Sequence, residues 1–204
     1  MNSVPFFQTL PDGIDSVDIS DYHGRGFMYV AVCSGPEDML KVGLSHDPLT
    51  RWSAFHPRWF EAFDLQYSLL IETETRRDAQ TLETVLRRQL TDHNCPPPMS
   101  MRAEAGGSTE WYRGAYEAAL AHTRVAAAKG YVVHVPAHGW FAQAMKSRVD
   151  HLVGVVDHAL RIGMQEGLTP RQKTAVRDLI DAHIVFDQEV LTRLPANLSD
   201  LWMQ

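Results

Sequence analysis

Short apolar runs, each bounded by turn-forming residues, dominate the chain between residues 27 and 72. Phe27 to Cys33 is rich in β-forming residues, and Ser34-Gly35-Pro36 ends it. Met39 to Gly43 is a shorter run, at a spacing that suits a hairpin with the first. Phe63 to Glu72 has the pattern of a third strand. The pattern therefore predicts a small, three-stranded antiparallel sheet.

Helical spacing appears between and after these runs. Asp47-Pro48 is an N-cap followed by proline at the first helical position, and it predicts a helix to about Phe55. Apolar residues at helical spacing predict a second helix over residues 78–90, with Glu83 beside its apolar face. An alanine-rich stretch predicts a third helix over about 115–129.

The last third of the chain is predicted to be helical. After a brief extended piece, two long amphipathic helices are expected at about 138–163 and 170–193. Their apolar stripes form either an intramolecular core or a dimer seam, so a homodimer through these helices stays open. The fold class is α+β, with helices flanking the sheet and a C-terminal helical hairpin. The expected divisions are an irregular leader at 1–26, a sheet domain at 27–130 and a helical extension at 131–204.

Composition narrows the class of protein. The chain has 204 residues, 45% of them hydrophobic, enough for one ordinary domain and an appendage. No signal-peptide pattern occurs, and no apolar stretch approaches the roughly 20 residues that span a membrane. Two cysteines are too few for a disulfide framework. We therefore expect a soluble, cytoplasmic protein without a membrane partner.

The whole chain and its residues 27–112 are both acidic. The net charge is −6, and residues 27–112 hold eight Lys and Arg against twelve Asp and Glu. Nonspecific coating of nucleic acid depends on neutralising phosphates with basic side chains. The overall balance argues against such coating, although local basic patches remain compatible with it.

Four residues, in order, carry a possible chemistry. Tyr29 lies in the first strand, Gly43 ends the second, Arg51 follows eight residues later, and Glu83 lies on the next long helix. Hydrolysis of a phosphodiester needs a cation and positive groups on the phosphate. Mg²⁺ is commonly held by one or two carboxylates together with water, and an arginine can make a bidentate phosphate contact. A tyrosine can relay a proton.

This constellation resembles the GIY-YIG nuclease family. Phe27-Met28-Tyr29 stands where that family has Gly-Ile-Tyr, and Lys41-Val42-Gly43 stands where it has Tyr-Ile-Gly. The nearest subgroup has Lys-Ile-Gly at the second position and a later Glu-Trp-Phe, here Glu110-Trp111-Tyr112. The resemblance covers residues 27–112.

The resemblance implies a metal-dependent endonuclease that hydrolyses phosphodiester bonds in DNA, single- or double-stranded. Tyr29 would be the proton relay, Arg51 the phosphate ligand, and Glu83 the ligand of Mg²⁺ or Mn²⁺. Lys41 departs from the family pattern by replacing the second tyrosine, which helps to position the nucleophile. Lys41 either substitutes as a phosphate ligand or weakens the site. Phe27 departs by replacing the first glycine.

Further candidates surround Arg51. His46 and His56 flank it and could shuttle a proton or contact the scissile phosphate. Trp52 lies in a basic and aromatic stretch suited to stacking on unpaired bases, although core packing explains it about as well. The candidate substrate contacts are Gly43, His56, Arg58 and Trp52.

Two other functions fit the same sequence. The first is a catalytically degenerate GIY-YIG module that binds nucleic acid or protein without cutting, because a fold does not guarantee an activity. The second is a protein-interaction component whose helical hairpin docks a partner. In the nuclease interpretation, the same extension would serve target selection or oligomerisation.

Overall fold

The centre of the molecule is a five-stranded antiparallel sheet. The computed structural model describes residues 25–102, 107, 109–165 and 167–198, so most of the predicted leader lies outside the described residues. The strands are β1 (Gly26–Val32), β2 (Met39–Ser45), β3 (Leu69–Thr73), β4 (Trp111–Arg113) and β5 (Val133–His134), in the order β4-β2-β1-β3-β5. The prediction of three strands is therefore too small, because two short strands extend the sheet at its edges.

Helices cover both faces of this sheet, which confirms the α+β class. They are α1 (Pro48–Phe55), α2 (Trp59–Ala62), α3 (Arg76–Gln89), α4 (Tyr116–Ala128), α5 (His138–Lys146), α6 (Val149–Gln165) and α7 (Pro170–Phe186). Two 3₁₀ segments, Thr91–His93 and Gln188–Arg193, follow α3 and α7.

Local capping chemistry sets the start of the two helices that matter most for the site. The Asp47 side chain accepts hydrogen bonds from the backbone N–H groups of Leu49 and Thr50, ahead of α1. The Thr75 hydroxyl accepts one from the N–H of Asp78 and begins α3. These caps fix where Arg51 and Glu83 lie along their helices.

The strand register decides which side chains share a face. Tyr29 lies opposite Gly43, and Ala31 lies opposite Lys41, so all four belong to one face of the sheet. That face packs against α1, α2 and α5, with Ala182 of α7 also in the core. The other face packs against α3 and α4, and its buried side chains from the three central strands are Met28, Val30, Leu40, Val42, Leu69 and Ile71.

The predicted third strand begins later than expected. The segment before it is a turn, in which a carboxylate oxygen of Asp64 accepts hydrogen bonds from the backbone N–H groups of Gln66 and Tyr67. An aspartate that bonds its own following backbone favours a turn over a strand. Only Leu69–Thr73 therefore pairs with β1.

The C-terminal helices are shorter than predicted. The expected helix at 138–163 is interrupted after Lys146, where the Ser147 hydroxyl donates to the carbonyl of Ala144. The expected helix at 170–193 ends at Phe186, because Asp187 is extended and its side chain caps the 3₁₀ segment that follows. The two helices predicted from the pattern are therefore three helices and a 3₁₀ segment.

The predicted division after residue 130 does not follow the packing. β5 is an edge strand of the central sheet, and Phe141 of α5 lies in the same core as Tyr29. The apolar stripe of α6 packs against α7 within the chain, so those side chains form intramolecular core, and a homodimer stays a prediction. Within the described ranges, no helix combines the length and apolar character needed to cross a membrane.

Candidate active site

Tyr29 and Gly43 form the tightest approach in the site. The Tyr29 ring lies against the backbone of β2, and a Cβ atom at position 43 would lie 2.6 Å from Cζ of Tyr29. Real Cβ atoms do not approach so closely, so this pairing requires glycine opposite the tyrosine. Tyr29 is only 1% exposed.

Burial and a neighbouring cation act in opposite directions on Tyr29. Burial raises the pKa of its phenol well above the usual range, and the charge and hydrogen bond of Arg51 partly oppose that rise. Phe55 of α1 lies against both groups. Its ring centroid is 6.3 Å from the ring centroid of Tyr29 and 4.8 Å from the guanidinium of Arg51. The phenol is therefore neutral at pH 7 and adjacent to a permanent positive charge.

Lys41 is a fully buried cation with a defined partner. Its Nζ donates to Oε2 of Glu110 at 2.8 Å and to the carbonyl of Gly107 at 3.1 Å. The same atom lies 5.2 Å from the ring centroids of both Phe55 and Trp111, a cation–π arrangement. Burial lowers the pKa of Lys41, and the hydrogen bond and charge of Glu110 oppose that change.

Glu83 faces the same group of charges from α3. Its Oε1 is 3.9 Å from Nη1 of Arg87, and that guanidinium atom is 3.6 Å from Oε1 of Glu110. Burial raises the pKa of Glu83, and the nearby Glu110 raises it further, while Arg87 and Lys41 lower it. The Glu83 side chain is only 9% exposed.

The structure thus brings together side chains that the sequence separates. The charges of Arg51, Glu110 and Glu83 all affect the pKa of Tyr29 in β1. The same three charges affect the pKa of Lys41. We call Tyr29, Lys41, Arg51, Glu83, Arg87 and Glu110 the central charge cluster.

Sequence reasoning missed Arg87 as a member of this cluster. It lies four residues after Glu83 on the same helix, and that spacing is the usual signal of a helical ion pair. Of the aromatic side chains around the cluster, Trp111 lies in the Glu110-Trp111-Tyr112 element, whereas Phe55 had no sequence signal that separates it from ordinary core residues.

The carboxylates of the cluster do not by themselves form a multidentate metal site. Within residues 25–102, 107, 109–165 and 167–198, no group of three or more His, Cys, Asp or Glu side chains could hold a metal ion. Mg²⁺, however, often uses one or two carboxylates and keeps several waters. Glu83 is buried and has a raised pKa, and among the described residues its one ion pair, with Arg87, is long, so a carboxylate ligand for such a cation is present in the cluster.

The two histidines have backbone partners outside the central charge cluster. Nδ1 of His46 lies 3.1 Å from the carbonyl of Arg25, and the His46 side chain is exposed. Nδ1 of His56 accepts a hydrogen bond from the backbone N–H of Arg58 at 3.1 Å. Their suggested roles stay predictions.

Trp52 is a core residue and not a surface for base stacking. It is 0% exposed, and its ring centroid lies 5.0 Å from that of Phe63 and 4.6 Å from that of Phe141. Trp59 is also buried and packs on Phe186 of α7. Core packing, the alternative considered for Trp52 from the sequence, accounts for its position because neither face of the ring is open to a base.

Arg58 is held by carboxylates and does not reach the central charge cluster. Its guanidinium donates two hydrogen bonds to Glu61, one to Asp178 at 2.9 Å and one to Asp181 at 2.8 Å. These bonds join the start of α2 to α7. Arg58 is therefore a clamp between two helices, and the suggested substrate contact stays a prediction.

Comparison with known proteins identifies the region that carries the site. A family model described as the T5orf172 domain matches residues 26–127, which is half of the chain. This domain is associated with nuclease-like and GIY-YIG-like proteins. No curated protein and no solved structure matches the chain. Every member of the central charge cluster lies within the match, whereas β5 and the three C-terminal helices lie beyond it.

Proposed function

The chain belongs to the T5orf172 domain family, and on this premise we propose that it is a metal-dependent DNA endonuclease with a GIY-YIG-type active site. The observation that carries the proposal is the meeting of Tyr29, Arg51 and Glu83 in one cluster. These residues come from β1, α1 and α3, and each is the type of group that phosphodiester hydrolysis requires.

Arg51 is the proposed phosphate ligand. An arginine stays protonated at all physiological pH values and can bind two phosphate oxygens at once. Its guanidinium lies 4.8 Å from the Phe55 ring centroid, which restrains the plane of the donor groups. Because Arg51 is close enough to lower the pKa of Tyr29, a phosphate bound there would lie near the phenolic oxygen.

Glu83 is the proposed ligand of Mg²⁺ or Mn²⁺. When bound, the cation supplies charge stabilisation at the phosphate and activation of water. The burial and raised pKa of Glu83 support this role, since a cation beside it would favour its ionised form. Glu110 lies close enough to influence Glu83 electrostatically, but its Oε2 accepts the hydrogen bond of Lys41.

Tyr29 holds its proton at neutral pH and acts as a relay. Burial raises the pKa of its phenol, so a free phenolate would be rare at pH 7. A neutral phenol both donates and accepts a hydrogen bond. It can therefore accept a proton from an attacking water while donating its own to a phosphate oxygen. Lys41, held by Glu110, positions the cluster and contributes a fixed positive charge.

The test is cleavage of labelled single- and double-stranded DNA in Mg²⁺, Mn²⁺ or EDTA. Wild-type protein is compared with Glu83→Gln, which keeps the shape of the side chain, and with Glu117→Gln, an exposed carboxylate on α4. We expect metal-dependent cutting that Glu83→Gln reduces at least about a hundredfold and Glu117→Gln leaves unchanged. Equal activity of the wild type and Glu83→Gln would reject the assignment.

A non-catalytic binding module is the second candidate, and one observation favours it. Tyr29 is 1% exposed and Lys41 is 0% exposed, so both groups are enclosed by the surrounding side chains. If this enclosure persists when DNA is bound, no substrate oxygen reaches the phenol. Well-folded wild-type protein that binds DNA but cuts neither substrate in any metal would favour this second function.

A further inference from the structure

The outer surface of α3 carries an unusual concentration of arginines for this acidic protein. Four of them lie on this one helix, whereas the whole chain has a net charge of −6. They are Arg76, Arg77, Arg87 and Arg88, and three polar side chains, Gln80, Thr81 and Thr84, lie among them. We call these seven residues the α3 basic face.

Helix geometry places the α3 basic face directly beside Glu83. At about 100° per residue, the seven side chains fall between about 20° and about 160° around the helix from Glu83, all on the same side. The buried side chains of α3 lie in the opposite direction from Glu83. Glu83 therefore lies at the boundary between the core side and the basic side.

Among the described residues, no carboxylate pairs with three of the four arginines of the α3 basic face, whereas the fourth, Arg87, lies near Glu83 and Glu110. The two acidic residues of α3 are Asp78, whose side chain accepts a hydrogen bond from Thr75, and the buried Glu83. In the part of the chain that the structure describes, Arg76, Arg77 and Arg88 make no salt bridge. All three side chains are exposed. A helix whose only function is stability would gain by pairing such charges at a spacing of four residues.

A shallow depression follows this helix and is open to solvent. Its lining residues are Arg77, Gln80, Thr81, Thr84, Val85 and Arg88. The rise from Arg76 to Arg88 is roughly 18 Å, enough to run past several consecutive phosphates of a DNA strand. Arginine, threonine and glutamine side chains are common donors to phosphate oxygens.

We propose that the α3 basic face binds the sugar–phosphate backbone of DNA and thereby brings a phosphodiester to Glu83. The inference rests on the proposed function, because it adds the surface that holds the substrate of that same site. Charge complementarity selects the occupant, since this surface offers donors and no acceptor carboxylate. Arg87 links the two regions, because its Nη1 is 3.9 Å from Oε1 of Glu83.

The test is the salt dependence of DNA binding in EDTA, where hydrolysis cannot occur. A fluorescein-labelled duplex and its single strand are titrated with wild-type protein and with Arg77→Gln/Arg88→Gln over a range of NaCl concentrations. We expect several-fold weaker binding by the double variant, and a slope of log K against log [salt] that is shallower by about 2. The DNA form on which the double variant loses slope relative to wild type is the form that the surface binds.

The matched control is Arg161→Gln/Arg171→Gln, which makes the same change in net charge at exposed positions on α6 and α7. It should keep the wild-type slope and affinity. Equal losses in both double variants, no loss in either, or no binding by the wild type would each overturn the inference. If wild-type protein cleaves DNA in Mg²⁺ but Arg77→Gln/Arg88→Gln keeps the wild-type slope, only the role of the α3 basic face is rejected. If the slope changes in Arg77→Gln/Arg88→Gln and not in the control, but wild-type protein cleaves no DNA, only the proposed hydrolysis is rejected.

Discussion

Nζ of Lys41 lies 2.8 Å from Oε2 of Glu110, and this ion pair joins β2 to the residue that precedes β4. The two side chains differ in their contact with solvent, since Lys41 is fully buried and Glu110 is partly exposed. A backbone hydrogen bond joins the same two segments, because the N–H of Val42 donates to the carbonyl of Glu110. The buried charge of Lys41 thus depends on the carboxylate of Glu110.

We predict that Glu110→Gln destabilises the protein by about 3 kcal/mol, since removing one partner leaves the other charge buried and unpaired. Urea unfolding at pH 7 measures the loss. The exposed Glu117→Gln is the control and should stay within about 0.5 kcal/mol of wild type.

The double variant Lys41→Met/Glu110→Gln separates the ion pair from other effects of Glu110. An apolar side chain of similar length removes the buried charge, so the double variant should recover most of the stability that Glu110→Gln loses. If the two substitutions lower the free energy of unfolding additively, the ion pair is not what Glu110 contributes.

We predict that Gly43→Ala lowers the stability by about 1–3 kcal/mol and also lowers any cleavage rate. The added methyl group would overlap the Tyr29 ring, so the ring or β2 must move. Gly154→Ala in α6 is the matched control. A Cβ there meets nothing within 4 Å, and alanine should stabilise this exposed helical position by about 0.5–1 kcal/mol. Similar stability of both variants would contradict the close packing of Tyr29 on Gly43.

We predict that Glu83→Gln is more stable than wild type at pH 7 when no divalent cation is present. The pKa of Glu83 is raised in the folded protein, mainly by burial, so the folded state binds this proton more tightly than the unfolded chain. That contribution to stability is complete below the ordinary glutamate pKa and falls as pH rises from there to the raised pKa. The advantage of the variant should therefore vanish towards the ordinary glutamate range, about pH 4.3.

Added Mg²⁺ gives the same pair of proteins a second comparison. At about one hundred times its dissociation constant, the cation should stabilise wild type by about 2.7 kcal/mol and leave Glu83→Gln unchanged. Urea unfolding with and without Mg²⁺ measures both effects. A variant that is less stable than wild type at pH 7 in EDTA would instead mean that Glu83 serves a structural ion pair.

We predict that Arg58→Met loosens α7 without weakening DNA binding. The loss of its hydrogen bonds to Asp178 and Asp181 removes a charged link of about 1–3 kcal/mol. Hydrogen exchange should become faster in α7, while the anisotropy of labelled DNA should be unchanged. Arg58→Lys should give an intermediate result, because an ammonium lacks the fork that reaches several carboxylates. Loss of DNA binding at unchanged α7 exchange would return Arg58 to the substrate site.

Local signals in the sequence were sufficient for the central strands and for the helices that carry the site. Asp47-Pro48 predicted the start of α1 because capping and a proline at the first helical position act within a single turn. The apolar spacing around Glu83 predicted α3 for the same reason, since one helix face determines it. The positions of Arg51 and Glu83 along their elements follow from such short-range rules.

Long-range packing determined what the sequence did not predict. β5 has two residues, and its pairing with β3 is a property of the assembled sheet. Two partners of Arg58, Asp178 and Asp181, lie more than one hundred residues away in the chain, and no local pattern identifies them. Trp52 is equally consistent with a binding surface and with a core until α5 is placed against it.

The family match ends at residue 127, yet α5 and α7 complete the core beneath the site. Trp140 lies 5.2 Å from Phe27, and Phe141 lies 4.6 Å from Trp52, by ring centroids. A domain cut out at the limits of the match would expose these aromatic surfaces to water. In this protein, the T5orf172 domain therefore depends on the C-terminal helices for part of its core. Recombination that grafts it onto another protein has to carry the C-terminal helices along or replace them with an equally apolar cover.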